Sequence, residues 1–153
     1  MKTIEGMLTG SGRKIAIVAG RFNDLVVGRL IEGALDCYAR HGGADADLML
    51  ARVPGSYEIP LVAGRLAAQG RFDAVVCLGA VIRGDTPHFD YVAAEVAKGV
   101  ASESLRTGCP IVFGVLLCDT LEQALERAGV KAGNKGWDAM LSALEMADLM
   151  PRL

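Results

Sequence analysis

Hydrophobic and polar residues follow two alternating patterns along this chain. The clearest is an unbroken apolar run at Ala74–Ile82, which predicts a strand buried on both faces of a sheet. Shorter apolar runs at 14–19, 47–53 and 111–117 predict further strands. After each run the apolar residues recur three and four positions apart, which is the period of an amphipathic helix.

Residues that favour helix ends mark where these helical segments begin. Asn23 or Asp24 can cap the first helix, which follows the first apolar run. Thr86 and Pro87 are residue types that favour the N-cap and the first helical position, so they predict a helix over about 86–105. The free N–H groups of that helix would then form an anion site beyond the end of the preceding strand.

The remaining helices follow the second and fourth apolar runs. Residues 58–66 fit a helix that ends at Gly70. Thr120 and Gln123 have the spacing of a capping box, which predicts the start of a short helix. A last amphipathic helix is indicated by apolar residues at helical spacing: Trp137, Met140, Leu141, Leu144 and Ala147.

The order of these elements predicts the fold class. Strand and helix signals alternate four times, and repeated β-α units form a parallel sheet with helices on both faces and right-handed crossovers. We therefore expect a single α/β domain over residues 1–153, a three-layer α/β/α arrangement with a four-stranded parallel sheet. Residues of about 1–13 precede the first strand and predict an N-terminal arm.

Composition narrows the functional classes. The net charge of −2 provides no basic surface for nucleic acid. Hydrophobic residues make up 52% of the chain and the mean hydropathy is +0.33, yet no apolar run is long enough to span a membrane. We expect the surplus apolar surface to contact other subunits. The start of the chain lacks the pattern of a signal peptide, and the cysteines lack paired spacing, which favours buried reduced thiols in a cytoplasmic protein.

Several common site motifs are missing from the sequence. The segment after the first strand is neither a dinucleotide-binding glycine motif nor a P-loop. No histidine or cysteine cluster has metal-ligand spacing, so we expect no metal site. A receiver-type signalling domain shares this fold class but requires carboxylates after the first strand, where this chain has Arg21 and Phe22.

Candidate site residues follow the carboxyl ends of the predicted strands, where open parallel sheets bind ligands. Phe22 offers an aromatic face, Glu58 a carboxylate and His88 an imidazole that can act as a base. Asp85 and Thr86 lie at the predicted anion site. The main chain around Ser56, Tyr57 and Val81 adds polar groups. Other interpretations are that Phe22 packs in the core, that Glu58 only favours its helix start, and that His41 only interacts with a helix dipole.

Five ordered segments are similar to the lumazine synthase family. They are 20–23 (GRFN), 53–60 (VPGSYEIP), 79–91 (GAVIRGDTPHFDY), 113–117 (FGVLL) and 131–136 (KAGNKG). The resemblance covers nearly the whole chain and implies a flavodoxin-like fold. It also implies condensation of 5-amino-6-(D-ribitylamino)uracil with 3,4-dihydroxy-2-butanone 4-phosphate to 6,7-dimethyl-8-ribityllumazine, phosphate and water, without a cofactor.

The resemblance assigns a role to each candidate residue. Phe22 stacks on the pyrimidine and His88 moves protons. Asp85 and Thr86 hold the phosphate. The uracil and the ribityl chain are held by residues on two segments: Ser56, Tyr57, Glu58, Ala80, Val81 and Ile82. The chain departs from common family residues at Gly20, Tyr57 and Asp85, and these departures affect substrate geometry rather than the reaction.

Assembly follows from residues that cannot reach this site within one chain. Phe113 falls early in the fourth strand, away from the carboxyl ends, and Arg127 lies late on the next helix. If they serve catalysis, they serve a neighbouring subunit; otherwise Arg127 is a solvated cation at a helix end. The resemblance implies a pentamer with Phe113 and Arg127 donated across each interface and Lys135 near the phosphate. The uninterrupted turn at 128–136 resembles that of shell-forming members of the family, and this resemblance favours a sixty-subunit shell over a free pentamer.

Two other functions remain open from the sequence. The related archaeal riboflavin synthase shares the fold but joins two lumazines, whereas the loop before His88 favours the enzyme that uses a phosphate ester. The chain could instead be a shell or scaffold protein with a vestigial site. Supplying both substrates and measuring lumazine absorbance distinguishes these three interpretations.

Overall fold

A four-stranded parallel sheet forms the centre of the computed structural model, which describes residues 1–153. Its strands are β1 (Ile15–Gly20), β2 (Leu48–Val53), β3 (Ala74–Ile82) and β4 (Ile111–Cys118), in the order β2-β1-β3-β4. All neighbouring strands pair in parallel. The predicted α/β class, the four-stranded parallel sheet and the single domain are confirmed.

Helices cover both faces of the sheet. They are α1 (Asp24–Arg40), α2 (Ile59–Ala67), α3 (His88–Thr107), α4 (Leu121–Arg127) and α5 (Lys135–Leu149). One apolar core joins the sheet to α1, α4 and α5, and a second joins the opposite face to α2 and α3. No helix combines the length and the apolar character that crossing a membrane would require.

The continuous apolar runs in β1 and β3 result from this double coverage. Side chains alternate between faces along a strand, so Ile17 and Leu78 enter one core while Val18 and Cys77 enter the other. All residues of β1 are buried. By contrast, β2 and β4 lie at the sheet edges and each keeps exposed positions.

Strand register determines where ligands can approach. The pairing of β1 with β3 ends at Ala19 and Leu78, whereas β3 continues to Ile82. The last residues of β3 therefore extend past the end of β1 and form a ledge beside the loops that follow β1 and β2. This ledge lies at the carboxyl ends of the strands, where the sequence predicts the site.

One predicted helix boundary is wrong. The third helix begins at His88, Pro87 occupies the cap position, and no side chain caps it, so Thr86 is not the N-cap. The cause is the backbone of Pro87, whose ψ of 3° lies outside the helical range. The first turn closes instead through the Asp90 N–H, which donates to the Pro87 carbonyl oxygen at 3.1 Å. His88 remains in the first turn, as expected.

The arm ahead of β1 contacts the end of α5. Residues 1–14 lie outside the helices and strands. The Met7 N–H donates to Asp148 at 2.8 Å, and the same buried carboxylate pairs with Arg13 at 2.6 Å and Arg152 at 2.7 Å. These contacts tie the two ends of the chain together on the α1 and α5 side of the sheet.

Candidate active site

A cavity of about 720 Å³ opens at the carboxyl ends of β1, β2 and β3. We call it the carboxyl-end pocket. It collects nine of the predicted site residues in one place: Phe22, Ser56, Tyr57, Glu58, Ala80, Val81, Ile82, Thr86 and His88. Asp85 belongs to the same loop as Thr86, but it is exposed and does not line the cavity.

Phe22 lies at the mouth of this pocket on the loop after β1. The Arg21 and Phe22 N–H groups donate to the carbonyl oxygens of Val53 and Pro54, which ties the loop to the end of β2. The Phe22 side chain is 74% exposed. The core interpretation of Phe22 is therefore wrong, because a ring that packs in the core would be buried.

The segment after β2 combines a buried hydroxyl with an exposed ring. Ser56 is buried beside Gly79, where a Cβ would come within 2.6 Å of the Ser56 Oγ. Tyr57 next to it is 62% exposed. The Gly55 N–H donates to the Glu58 carboxylate at 3.0 Å. Glu58 thus supports the turn that leads into α2, and it also lines the pocket.

Asn23 connects two walls of the pocket and was not among the predicted site residues. It occupies the cap position of α1 in a left-handed conformation, with φ of 59°. Its side chain makes no cap and instead donates from Nδ2 to the Ala80 carbonyl oxygen at 2.8 Å. The positive φ aims the amide across the sheet, so the loop that carries Phe22 is fixed to the ledge of β3.

Arg83 organises the loop that leads from β3 to His88. Its guanidinium pairs with Asp119 at 2.9 Å and Asp90 at 3.3 Å, and it lies 4.4 Å from the centre of the Phe89 ring. The hydrogen bond that Arg83 Nε donates to the Asp119 carboxylate is the largest cause of the raised pKa of Arg83. These two ion pairs connect the loop to the start of α3 and to the end of β4.

No lysine or arginine lines the carboxyl-end pocket. The titratable side chains that line it are Glu58, Glu95, His88, Tyr57 and Tyr91. The pocket therefore offers aromatic faces, main-chain polar groups, an imidazole and two carboxylates. It has no fixed positive side chain to neutralise a phosphate ester.

The predicted cations line a second cavity of about 430 Å³ between β4 and α5. We call it the edge groove. It contains Phe113, Arg127 and Lys135 together with Asp138 and Ser142. Phe113 is 38% exposed and pairs in register with Cys77, three positions before Ala80. Its position away from the carboxyl ends agrees with the sequence expectation.

Both cations of the edge groove are exposed and held by their own helices. The Arg127 Nη1 donates to the Gln123 carbonyl oxygen at 3.2 Å, and the Lys135 ammonium pairs with Asp138 at 3.1 Å. The edge groove and the carboxyl-end pocket share no lining residue. One chain therefore presents the predicted site residues in two separate groups.

Four polar pocket or groove residues beyond Asn23 were not predicted from the sequence. Tyr91 and Glu95 line the carboxyl-end pocket one and two turns after His88, and Asp138 and Ser142 line the edge groove. Helical spacing from His88 could have indicated Tyr91 and Glu95, since residues three, four and seven apart share one helix face. Asp138 and Ser142 follow Lys135 at the same kind of spacing.

The cysteines and His41 lie outside both cavities. All four cysteines are free, and burial raises the pKa of the Cys77 thiol to about 12. Burial likewise raises the pKa of Cys37, to about 11. Such thiols are poor nucleophiles. His41 follows the end of α1, where its Nδ1 bonds the Cys37 carbonyl oxygen at 2.7 Å, which agrees with the helix-end role that the sequence suggested.

Comparison with known proteins gives a consistent family. The model of the family 6,7-dimethyl-8-ribityllumazine synthase matches residues 12–151. The 6,7-dimethyl-8-ribityllumazine synthase of Syntrophus aciditrophicus (strain SB) is 58% identical over 149 residues, which cover 97% of each chain. The enzyme of the same name from Aquifex aeolicus (strain VF5) is 58% identical over 153 residues, which cover 100% of this chain and 99% of that one. The chain belongs to the 6,7-dimethyl-8-ribityllumazine synthase family.

Proposed function

We propose that this chain is a transferase that condenses 5-amino-6-(D-ribitylamino)uracil with 3,4-dihydroxy-2-butanone 4-phosphate. The products are 6,7-dimethyl-8-ribityllumazine, phosphate and water, and the reaction belongs to riboflavin biosynthesis. Family membership supports the reaction. The roles of individual residues are supported by the two cavities described above.

One observation carries the assignment of the complete site. The carboxyl-end pocket can accept a flat heteroaromatic but has no lysine or arginine, whereas the edge groove presents Arg127 and Lys135 beside an exposed Phe113. A phosphate ester is bound most strongly by charge-assisted donors. The site is therefore completed when the edge groove of one subunit faces the pocket of the next.

The uracil substrate occupies the inner part of the carboxyl-end pocket. Its ring stacks on Phe22, and its polar edges bond main-chain groups of the two segments that form the walls. Ser56, Tyr57 and Glu58 belong to one wall, and Ala80, Val81 and Ile82 to the other. Phe113 of the neighbouring subunit covers the face of the uracil ring that is turned away from Phe22.

The phosphate ester lies near the start of α3. Thr86 lines the pocket there and offers a hydroxyl donor, while Asp85 contributes through its main chain because its carboxylate would repel the phosphate. Arg127 and Lys135 of the adjacent subunit supply the positive charge. His88 stands at the first helical position, between this anion site and the uracil pocket.

The chemistry proceeds by loss of water, phosphate and water again. The 5-amino group of the uracil attacks the ketone carbon, and the adduct loses water to give an imine. A proton then leaves the carbon next to the imine as the carbon–oxygen bond to phosphate breaks. The resulting enol tautomerises to a ketone, which the ribityl-bearing nitrogen attacks, and a second loss of water closes the ring.

Positioning contributes at least as much as proton transfer. His88 is placed to take the proton that leaves as phosphate departs, and a placed base contributes ~10²–10⁴-fold. The departing phosphate concentrates negative charge, which Arg127 and the donors at the start of α3 stabilise. Holding two substrates face to face contributes about 7–11 kcal/mol in well-oriented systems. No step transfers electrons to or from a cofactor.

The active assembly is a homo-oligomer with sites at subunit interfaces. A pentamer pairs each carboxyl-end pocket with a neighbour's edge groove in a closed ring, which is a heterologous interface that closes. The turn between α4 and α5 is short, and its resemblance to that of shell-forming family members favours further assembly into a sixty-subunit shell. Four unpaired cysteines support a reducing compartment, the cytoplasm.

The direct test supplies the purified protein with both substrates and follows lumazine absorbance and phosphate release. We expect equal amounts of lumazine and phosphate to form. Supplying 6,7-dimethyl-8-ribityllumazine alone is the control, since a riboflavin synthase would convert it to riboflavin. A folded oligomer that is inactive in both assays would instead indicate a scaffold protein. Mass determination in solution distinguishes a pentamer from a shell.

A further inference from the structure

Asn134 joins three elements next to the edge groove and uses every hydrogen-bonding group of its side chain. Its Nδ2 donates to the carbonyl oxygens of Arg29 at 2.9 Å and Ala128 at 3.1 Å. Its Oδ1 accepts from the N–H groups of Gly136 at 2.8 Å and Trp137 at 3.2 Å. Two acceptors on one side and two donors on the other require an amide in this orientation.

These bonds close the loop between α4 and α5. Ala128 and Asn134 form an isolated antiparallel bridge, so the ends of the loop lie side by side. Arg127 comes directly before the bridge and Lys135 directly after it. The two cations therefore enter the same groove because the bridge closes, and not because they share a helix.

The first helix is shaped to admit the Asn134 amide. A Cβ at Gly33 of α1 would collide with the Asn134 Oδ1. At Gly28 of the same helix, an added Cβ would have no neighbour within 4 Å. Glycine in a helix interior costs roughly 1 kcal/mol relative to alanine. The glycine at position 33 is therefore explained by the close approach of Asn134, whereas packing within this chain does not require glycine at position 28.

We infer that Asn134 is a positioning residue for the anion site formed by Arg127 and Lys135. It sets the distance between the two cations by holding α4, α5 and α1 in one arrangement. The identity of the anion, the phosphate of the butanone substrate or the phosphate product, rests on the proposed function. A displacement of about 1 Å in such a group can reduce activity by ~10²-fold.

Two variants separate this role from that of an ordinary helix cap. Asn134→Ser keeps an acceptor for the start of α5 but removes both bonds donated by Nδ2, because serine is also a good N-cap residue. Gly33→Ala leaves Asn134 unchanged and displaces its side chain from the α1 side. Gly28→Ala is the matched control, since it adds the same methyl group to the same helix in open space.

The readouts are the binding of inorganic phosphate by calorimetry and the separate KM values of the two substrates. In Asn134→Ser and Gly33→Ala, we expect the Kd of phosphate and the KM of the butanone phosphate to rise roughly ten- to hundredfold. The KM of the uracil substrate stays unchanged, and Gly28→Ala behaves as the unmodified protein. Phosphate binding is measured without turnover. If the protein makes no lumazine, the proposed reaction is refuted, but the Kd values of phosphate still test the role of Asn134.

Two results would overturn the inference. One is an unchanged Kd of phosphate in assembled variants that only lose thermal stability, which would make Asn134 a structural cap. The other is an equal rise in both KM values, which would indicate a general loss of site structure. If Asn134→Ser does not assemble, the comparison of Gly33→Ala with Gly28→Ala decides by the same criteria.

Discussion

The carboxyl-end pocket and the edge groove are complementary halves with opposite chemical character. The pocket is concave and contains aromatic faces, an imidazole and carboxylates, but no cation. The groove is smaller and contains two cations beside the exposed ring of Phe113. Neither half alone matches a substrate pair that includes both a flat heteroaromatic and a phosphate ester. The proposed function therefore assigns the missing cations to the edge groove of a neighbouring subunit.

The two halves also differ in how they are built. Loops after consecutive strands form the pocket, and hydrogen bonds between those loops hold it together, such as that from Asn23 to Ala80. The groove depends on a strand at the sheet edge and on the closed turn between α4 and α5. Because the halves share no lining residue, substitutions in one half should leave the other half intact within the same subunit.

The largest expected effect comes from disabling one half in each of two variants. Arg127→Ala should lower kcat/KM by roughly 10²–10³-fold, because it removes a charged donor at the departing phosphate. His88→Ala disables the other half. Co-assembly of the two variants should restore activity, since some interfaces pair an intact pocket with an intact groove. Random mixing leaves about one quarter of interfaces fully intact in a heterologous ring.

The control for this experiment assembles each variant separately and combines them only before the assay. That mixture should show the sum of two low activities. Activity restored without co-assembly, or none restored with it, would place the complete site within one chain and contradict the division into halves. Native mass measurement of tagged subunits verifies that mixed rings have formed.

His88→Ala alone should have the next largest effect, and it tests whether the carboxyl-end pocket supplies the base for proton transfer. We expect turnover to fall by roughly one to three decades, because a placed base contributes ~10²–10⁴-fold and water substitutes in part. His88 is exposed at the first helical position, so folding should be preserved. Steady-state turnover at saturating substrates is the measurement, and an unchanged rate would remove His88 from proton transfer.

Phe22→Ala should affect only one of the two substrates. Loss of stacking should weaken binding of the uracil substrate by roughly 1–3 kcal/mol, the range measured for base–aromatic contacts. Because the ring is 74% exposed, stability should change little. Leu105→Ala, an exposed apolar truncation near the end of α3, is the control. An equal rise in both KM values would show that Phe22 only shapes its loop.

Much of the fold followed from the sequence because single patterns determine it. The continuous apolar run predicted the observed bounds of β3. A strand that is covered on both faces has no polar positions in its interior, so the change to polar residues marks its ends. The start of α3 was missed because Pro87 adopts a non-helical ψ, which residue type alone does not reveal. Most polar groups of the pocket lie on loops that follow predicted strands. Their position directly after those strands was sufficient to predict that they lie close together.

The roles of Asn23 and Asn134 depend on geometry that no local pattern contains. Asn23 crosses to Ala80 only because its own φ is positive and β3 extends past β1. Asn134 gains one of its partners, the Arg29 carbonyl oxygen, from α1, far away in the sequence. Both are amides that join separate elements, and such contacts are decided by the closed tertiary structure.

The smallest effect on catalysis is expected at Asp148, which lies outside both halves. Its pKa is lowered chiefly by the hydrogen bond from the Met7 N–H, with further contributions from Arg13 and Arg152. The folded state therefore binds this proton more weakly than the unfolded chain. The resulting stability is fully present above the ordinary carboxyl range, near pH 4, and is lost as the pH falls through the lowered pKa.

Asp148→Asn should accordingly lower Tm at neutral pH while kcat of the folded enzyme stays unchanged. The difference in Tm from the unmodified protein should narrow as the pH falls below about 4, because asparagine does not titrate. Asp36→Asn is the matched control: it breaks an exposed pair with Arg40 that is worth only roughly 0.3–0.5 kcal/mol. A difference in Tm that stays constant across this pH range would mean that the Asp148 charge does not hold the arm, whereas a fall in kcat would show that the arm supports one of the two halves.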